Sequence, residues 1–159
     1  MTEEEKLAKA QGVFATLCQT MDDNDWEYTK NEEKFSIDAS AEGEDLPVDL
    51  RITVDSEREL VYILSYLPFS VSEEKCLDVA IAVSAVNNIV VNGCFDYYMD
   101  TGDILFRITN SFADSIISKK VFEYMIWCAC QTVDDYNDKL FMLSKGMISV
   151  DQFISMLEE

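Results

Sequence analysis

Between Thr2 and about Met21 the apolar positions Leu7, Ala10, Val13, Phe14, Leu17 and Met21 recur at steps of three and four residues, the spacing of one helical face. Glu3, Glu4 and Glu5 lie in the first turn of this predicted helix, where negative charge meets the positive end of the helix dipole. The segment MDDNDW from Met21 to Trp26 ends the pattern, because Asp and Asn side chains bond their own backbone and favour turns. The period then changes to two. Phe35, Ile37 and Ala39 alternate with Ser36, Asp38 and Ser40, and Trp26 and Tyr28 are placed to open an earlier strand. In VDLRITV, Val48, Leu50, Ile52 and Val54 alternate with Asp49, Arg51, Thr53 and Asp55, which predicts one buried and one wet face. The polar run Asp55 to Glu59 reads as the following turn. ELVYILSYL, starting at Glu59, is apolar on both faces, as expected of a central strand or of one whose second face is covered by a helix or a partner. Gly43 with Pro47, and then Pro68, punctuate the edges of this region.

After Pro68, Ser70 stands three residues before Glu73, the spacing of a capping box. Leu77, Ala80, Ile81, Ser84, Ala85 and Asn88 then form a helical stripe flanked by Val79, Val83 and Val86, which predicts a buried helix ending at Asn87 or Asn88. Asn92-Gly93 supplies a turn. The next stretch reads as a hairpin, with Phe95, Tyr97 and Met99 on one face and Ile104, Phe106 and Ile108 on the returning strand. Its tip is Asp100 to Asp103, where Gly102 gives the positive backbone angle of a tight connection. From Ser118 a long helix carries Phe122, Met125, Ile126, Ala129, Val133, Tyr136, Leu140 and Leu143 and stops at Lys145-Gly146. Ser149 with Gln152 is a second capping box, opening a short last helix through Phe153, Ile154 and Leu157. The order α-β(3-4)-α-β-β-α-α predicts a single α+β domain over residues 1–159, an antiparallel sheet flanked by helices.

Composition narrows the function more than the fold. A chain of 159 residues with 48% hydrophobic residues, 5 Gly and 2 Pro has the make-up of a folded domain. Charge is the outlier: 31 Asp and Glu against 12 Lys and Arg give a net charge of −19. Such a surface argues against nucleic acid, whose phosphates must be neutralised by Lys and Arg, and favours basic protein partners. The absence of His removes the commonest general base and the usual zinc ligand. Five cysteines, Cys18, Cys76, Cys94, Cys128 and Cys130, show no CxxC spacing, and Cys128 and Cys130 point to opposite faces of a helix. They read as small hydrophobes in a reducing cytoplasm. The acidic start and the lack of an apolar run of about 18 residues predict neither a secretory signal nor a membrane span.

Little catalytic chemistry remains. Asp22, Asn24 and Glu33 match positions 1, 3 and 12 of an EF-hand loop, but Trp26 and Glu27 fall where the loop needs an oxygen ligand and a glycine. The pairs Asp134/Asp135 and Asp100/Asp103 stand at wet places, a helix surface and a hairpin tip, with no cleft to divide acid and base roles. The chain contains no GxGxxG, GxxxxGK[ST] or GxSxG. The one basic doublet, Lys119-Lys120, reads as solvated surface. The expectation is therefore no catalytic, cofactor-binding or metal-binding residue, with a small-molecule or metal-binding domain as the alternative. Tyr62, Tyr66, Tyr98 and Leu105 are the candidate partner-binding residues, as a homodimer seam or a groove for a polypeptide, if helices do not cover them.

The string AVSAVNNIVVNGCFDYYMDTGDILFRI resembles the YbjN-type family of bacterial proteins, described as sensory transduction regulators. The resemblance lies in Asn87 and Asn88, Gly93, Phe95, Tyr97, Asp100, Gly102, Phe106 and Arg107, and in the later run Val133-Asp134-Asp135-Tyr136. It implies an α+β fold similar to that of type III secretion chaperones, which are small, acidic, dimeric and non-enzymatic. It does not imply secretion-chaperone activity, since fold is a poor guide to function. Together these readings predict a cytoplasmic, non-enzymatic protein-binding or regulatory domain.

Overall fold

Helix α1, Glu3–Asp23, opens with a capping box. Thr2 Oγ1 accepts from the Glu5 amide at 3.1 Å, while Glu5 Oε2 accepts from the Thr2 amide at 2.7 Å. At its other end the Asp25 amide donates to Asp22 O and the Trp26 amide to Met21 O, with Asp25 at φ 56°. This is a Schellman ending with Asp in the left-handed position that usually takes Gly, and it turns Trp26 back toward the helix. The computed structural model describes residues 1–159.

Four strands follow: β1 (Tyr28–Asn31), β2 (Ser36–Ala41), β3 (Val48–Asp55) and β4 (Leu60–Ser70). A single 3-10 turn, Glu73–Lys75, leads into α2 (Cys76–Asn87), then β5 (Cys94–Tyr98), β6 (Asp103–Ser111), α3 (Lys119–Ser144) and α4 (Val150–Leu157). The strands form one antiparallel six-stranded sheet in the order β1-β2-β3-β4-β6-β5. The element order is as the periodicities predict, with four strands before α2, and of the two readings of the doubly apolar segment β4 takes the first, an interior strand of the sheet.

The register makes one face of this sheet the core. Ile37, Ile52, Ile63 and Ile108 stand opposite one another across β2, β3, β4 and β6, and all are buried. Ser65, Phe106 and Phe95 form a second buried row on β4, β6 and β5. The helices close over this face with Phe14 and Leu17 of α1, Val79 and Val86 of α2, Phe122, Met125 and Leu140 of α3 and Phe153 of α4. The β3–β4 turn is fastened to α1: the buried Glu59 carboxylate lies 3.6 Å from Lys6 Nζ and 3.4 Å from Lys9 Nζ. The opposite face of the sheet carries no helix.

Three expectations are corrected. Pro68 does not end a strand; β4 runs on to Ser70 through a register shift between Tyr66 and Ser70, the kind of bulge that tolerates a residue without an amide hydrogen. Ser70 makes no capping box with Glu73, because strand pairing opposite Asp103 claims it and its hydroxyl donates to Thr101 O at 3.2 Å. Finally, α2 buries Val79, Ala82, Val83 and Val86, so the stripe through Leu77, Ile81, Ser84 and Asn88 faces outward, with Leu77 73% and Ile81 52% exposed. Both faces of this helix are apolar enough to be buried, and helical spacing alone does not say which one meets the sheet.

Candidate functional site

The helix-free face brings the candidate partner-binding residues together. On β4, Tyr62, Leu64 and Tyr66 point away from the core, because their alternating neighbours Val61, Ile63, Ser65 and Leu67 are buried in it. Tyr66 pairs with Leu105 on β6, Leu105 pairs with Asp96 on β5, and Tyr98 stands on the same face two residues along β5. Tyr66 and Tyr98 are half-exposed. Leu105 is only 2% exposed and lies outside the main core cluster, so it forms a floor between the flanking strands and is not itself open surface. Tyr62 lies two register rows from Tyr66, separated by Leu64, and its hydroxyl accepts from Arg58 Nη1 at 3.1 Å.

One row crosses the whole face: Thr29, Asp38, Arg51, Leu64, Arg107 and Cys94, on β1, β2, β3, β4, β6 and β5. Arg51 donates to both oxygens of Asp38 at 2.7 and 3.1 Å, and Arg107 to both oxygens of Asp96 at 2.8 and 3.3 Å. These forked pairs raise both guanidinium pKa values. Burial, with Asp96 beside it, pushes the Cys94 thiol up, so the thiol is poorly suited to act as a nucleophile. A shallow groove of about 730 Å³ lies over the β1–β4 part of the face, lined among others by Glu27, Asp38, Asp49, Arg51, Leu64 and Tyr66. Its one cation is already held by Asp38, which leaves Asp49 and Glu27 to set the sign of the groove.

The residues that carry the family resemblance do different work. Strand β5 is a sheet edge, and an unpaired edge invites another strand. Here Asn87, in the last turn of α2, donates from Nδ2 to Phe95 O at 2.9 Å and accepts at Oδ1 from the Phe95 amide at 2.8 Å. One carboxamide thus takes the place of the next strand. Gly93 sits at φ 83°, where a side-chain carbon would come 2.4 Å from the Phe106 ring, so only glycine lets the chain enter β5. Phe95 and Phe106 then pack edge to face at 5.3 Å. At the hairpin tip, Gly102 at φ 81° accepts from the Val71 amide at 2.8 Å, which binds the tip to the end of β4. In the later run, Asp134 Oδ1 accepts from the Glu44 amide at 2.8 Å and pins the β2–β3 loop to α3. The motif is a scaffold for the open face.

No group of three or more His, Cys, Asp or Glu side chains is arranged to hold a metal ion. Asp134 borders a small cavity of about 130 Å³ beside Gly43 and Gln131, but Asp135 does not share it, and Asp100 is exposed at the hairpin tip. The five cysteines are free, Cys128 buried and the others half-buried. No helix is long and apolar enough to cross a membrane. Sequence reasoning missed two surfaces: the outward stripe of α2, and a cavity between Trp26 and Trp127. Their signal was an apolar excess on α2 and the chain's only two tryptophans.

A family model described as "YbjN: Putative bacterial sensory transduction regulator" matches residues 14–142. Among solved structures, the fold is similar to one titled "Crystal structure of YbjN, a putative transcription regulator from E. coli". The TM-score is 0.60 and the identity 14%, over 83% of this chain and 92% of that one. At that identity the likeness is one of fold. No curated protein matches the chain.

Proposed function

Because the chain belongs to the YbjN family of bacterial regulators, we propose that it is a non-enzymatic, cytoplasmic regulator that docks a polypeptide across the helix-free face of its sheet. The observation that carries this reading is the group Tyr66, Leu105 and Tyr98, an apolar floor between half-exposed tyrosines on a face no helix covers. Aromatic residues over a desolvated floor are typical anchors of protein interfaces. The adjoining groove presents Asp38, Asp49 and Glu27 against one paired arginine, on a chain of net charge −19. A partner segment that combines Lys or Arg with apolar side chains complements it, and the field of the chain speeds the encounter.

The test is selection from a random peptide library on the immobilised full chain, followed by backbone NMR titration. Enriched peptides carry basic and apolar residues, shift the amides of Tyr62, Tyr66 and Leu105, and bind Tyr66→Glu at least about tenfold more weakly. Selection without enrichment, or shifts confined to other surfaces, overturns the reading.

A homodimer has its own supporting observation, the outward Leu77 and Ile81 of α2. Sedimentation at tens of micromolar is expected to give a dimer that Ile81→Glu splits into monomers. A wild-type chain that stays monomeric under those conditions removes this second reading.

A further inference from the structure

We infer that the cavity between Trp26 and Trp127 receives the guanidinium of an arginine side chain from a polypeptide partner. This inference rests on the polypeptide-binding reading above but concerns the opposite side of the molecule, where α1 and α3 meet.

The cavity, about 240 Å³, is lined by Trp26, Trp127, Ile126, Cys130, Glu123 and Asn24. It is smaller than the roughly 300–1,000 Å³ of ordinary small-molecule sites, so it suits one side chain or headgroup. Its walls are largely apolar. Indole is the best aromatic partner for a cation, and both tryptophans of the chain are here. Trp127 is 61% exposed, an unusual place for so large an apolar ring, and Tyr124 lies beside it at 6.4 Å between ring centroids. Its exposure leaves indole surface available to a guest.

The charge at the rim has one sign. Glu123 makes no ion pair; Asn24 Nδ2 donates to its Oε1 at 3.2 Å, and its Oε2 has no partner within the chain. Asp25, which precedes Trp26, is exposed and makes no ion pair, whereas Glu27 belongs to the groove on the other face. No Lys or Arg lines the cavity, and the nearby Lys119 is engaged by Asp23 at 2.6 Å. Burial pushes the Cys130 thiol up to about 11, so that wall is neutral. A planar, weakly hydrated guanidinium stacks on indole, offers a forked donor to Glu123, and lets its methylene stem lie along Ile126. The turn MDDNDW, where the rejected calcium loop begins, supplies Asn24 and Trp26 to this site.

Because both tryptophans line the cavity, intrinsic tryptophan emission reads it directly. The full chain is titrated with an acetylated, amidated Gly-Arg-Gly tripeptide, with its citrulline analogue, and with choline. A saturable emission change with the arginine peptide is expected, at least about tenfold weaker with neutral citrulline. Glu123→Gln, which keeps both indoles, weakens binding severalfold. Trp127→Ala abolishes it by calorimetry while the circular-dichroism melt is kept, and Tyr66→Glu leaves it unchanged. Equal binding of citrulline, no saturation with the arginine peptide, or undiminished binding to Trp127→Ala overturns the inference. Tighter binding of choline overturns arginine as the occupant. None of these readouts depends on the open sheet face, so failure there and failure here are separable.

Discussion

The two faces of the sheet are made by the same six strands, and they are held in order by different forces. On the covered face, the row Ile37, Ile52, Ile63 and Ile108 is sealed under the helices. Each such side chain contributes about 1.5–3 kcal/mol by leaving water. On the open face, the row Asp38, Arg51, Leu64, Arg107 and Cys94 is organised by two forked ion pairs. Exposed pairs of this kind contribute about 0–1 kcal/mol. The fold depends heavily on one face and lightly on the other. The open face is therefore where residues can serve a partner without unfolding the chain.

The sharpest way to break this contrast is to truncate neighbouring residues that point to opposite sides. Phe106→Ala, on the covered face against Phe95, is expected to cost about 3–5 kcal/mol in urea denaturation. Leu105→Ala, one residue away on the open side, is expected near the lower end for leucine, about 2 kcal/mol, because its flank at Tyr66 is already wet. Equal costs would mean that the open face is as tightly built as the core.

An intermediate effect is expected at high pH. Burial pushes the Cys130 thiol from 9.0 to about 11, and the Tyr97 phenol, on the covered face of β5, from 10.0 to about 12. Above pH 9 the unfolded chain releases the thiol proton while the folded chain retains it, so stability falls as pH rises toward 11. For the half-buried Cys130 alone the loss is about 1–2 kcal/mol. Denaturation midpoints at pH 8 and 10.5 measure the loss, and Cys130→Ala is expected to reduce it, leaving the part due to Tyr97. The smallest effect sharpens the comparison most. Tyr66→Ser is expected to change stability by under about 0.5 kcal/mol, while the proposed docking reading expects the same position to weaken peptide binding strongly.

Much of the fold was legible before any coordinates. Two-residue alternation in β2 and β3 announced one wet and one dry face, and the double-sided apolar run of β4 left a central strand and a covered second face as alternatives, of which the sheet order takes the first. Ser149 with Gln152 capped α4 as expected, because a capping box is local and needs only its own turn. Ser70 with Glu73 has the same spacing and failed, since β-pairing thirty residues downstream claimed the serine first. The candidate residues Tyr62, Tyr66, Tyr98 and Leu105 did fall on one face, because alternation fixes the side of a strand even when the strand's neighbours are unknown. Leu105 read as surface and became floor: its exposure depends on β4 and β5 beside it. The role of Asn87 was invisible for a related reason. An asparagine at a helix end is ordinary until a sheet edge is placed against it.

What the sequence determined by itself was periodic and local: where helices and strands run, how α4 is capped, where Gly102 turns the chain, and a surface charge hostile to polyanions. What only the tertiary structure decided was which of two apolar faces of α2 is covered, which face of the sheet stays open, and that Trp26 and Trp127 share one cavity. The physical reason is range. Backbone sterics, capping and turn bonds act within a few residues and leave their mark in spacing, whereas burial is settled by surfaces that arrive from distant parts of the chain.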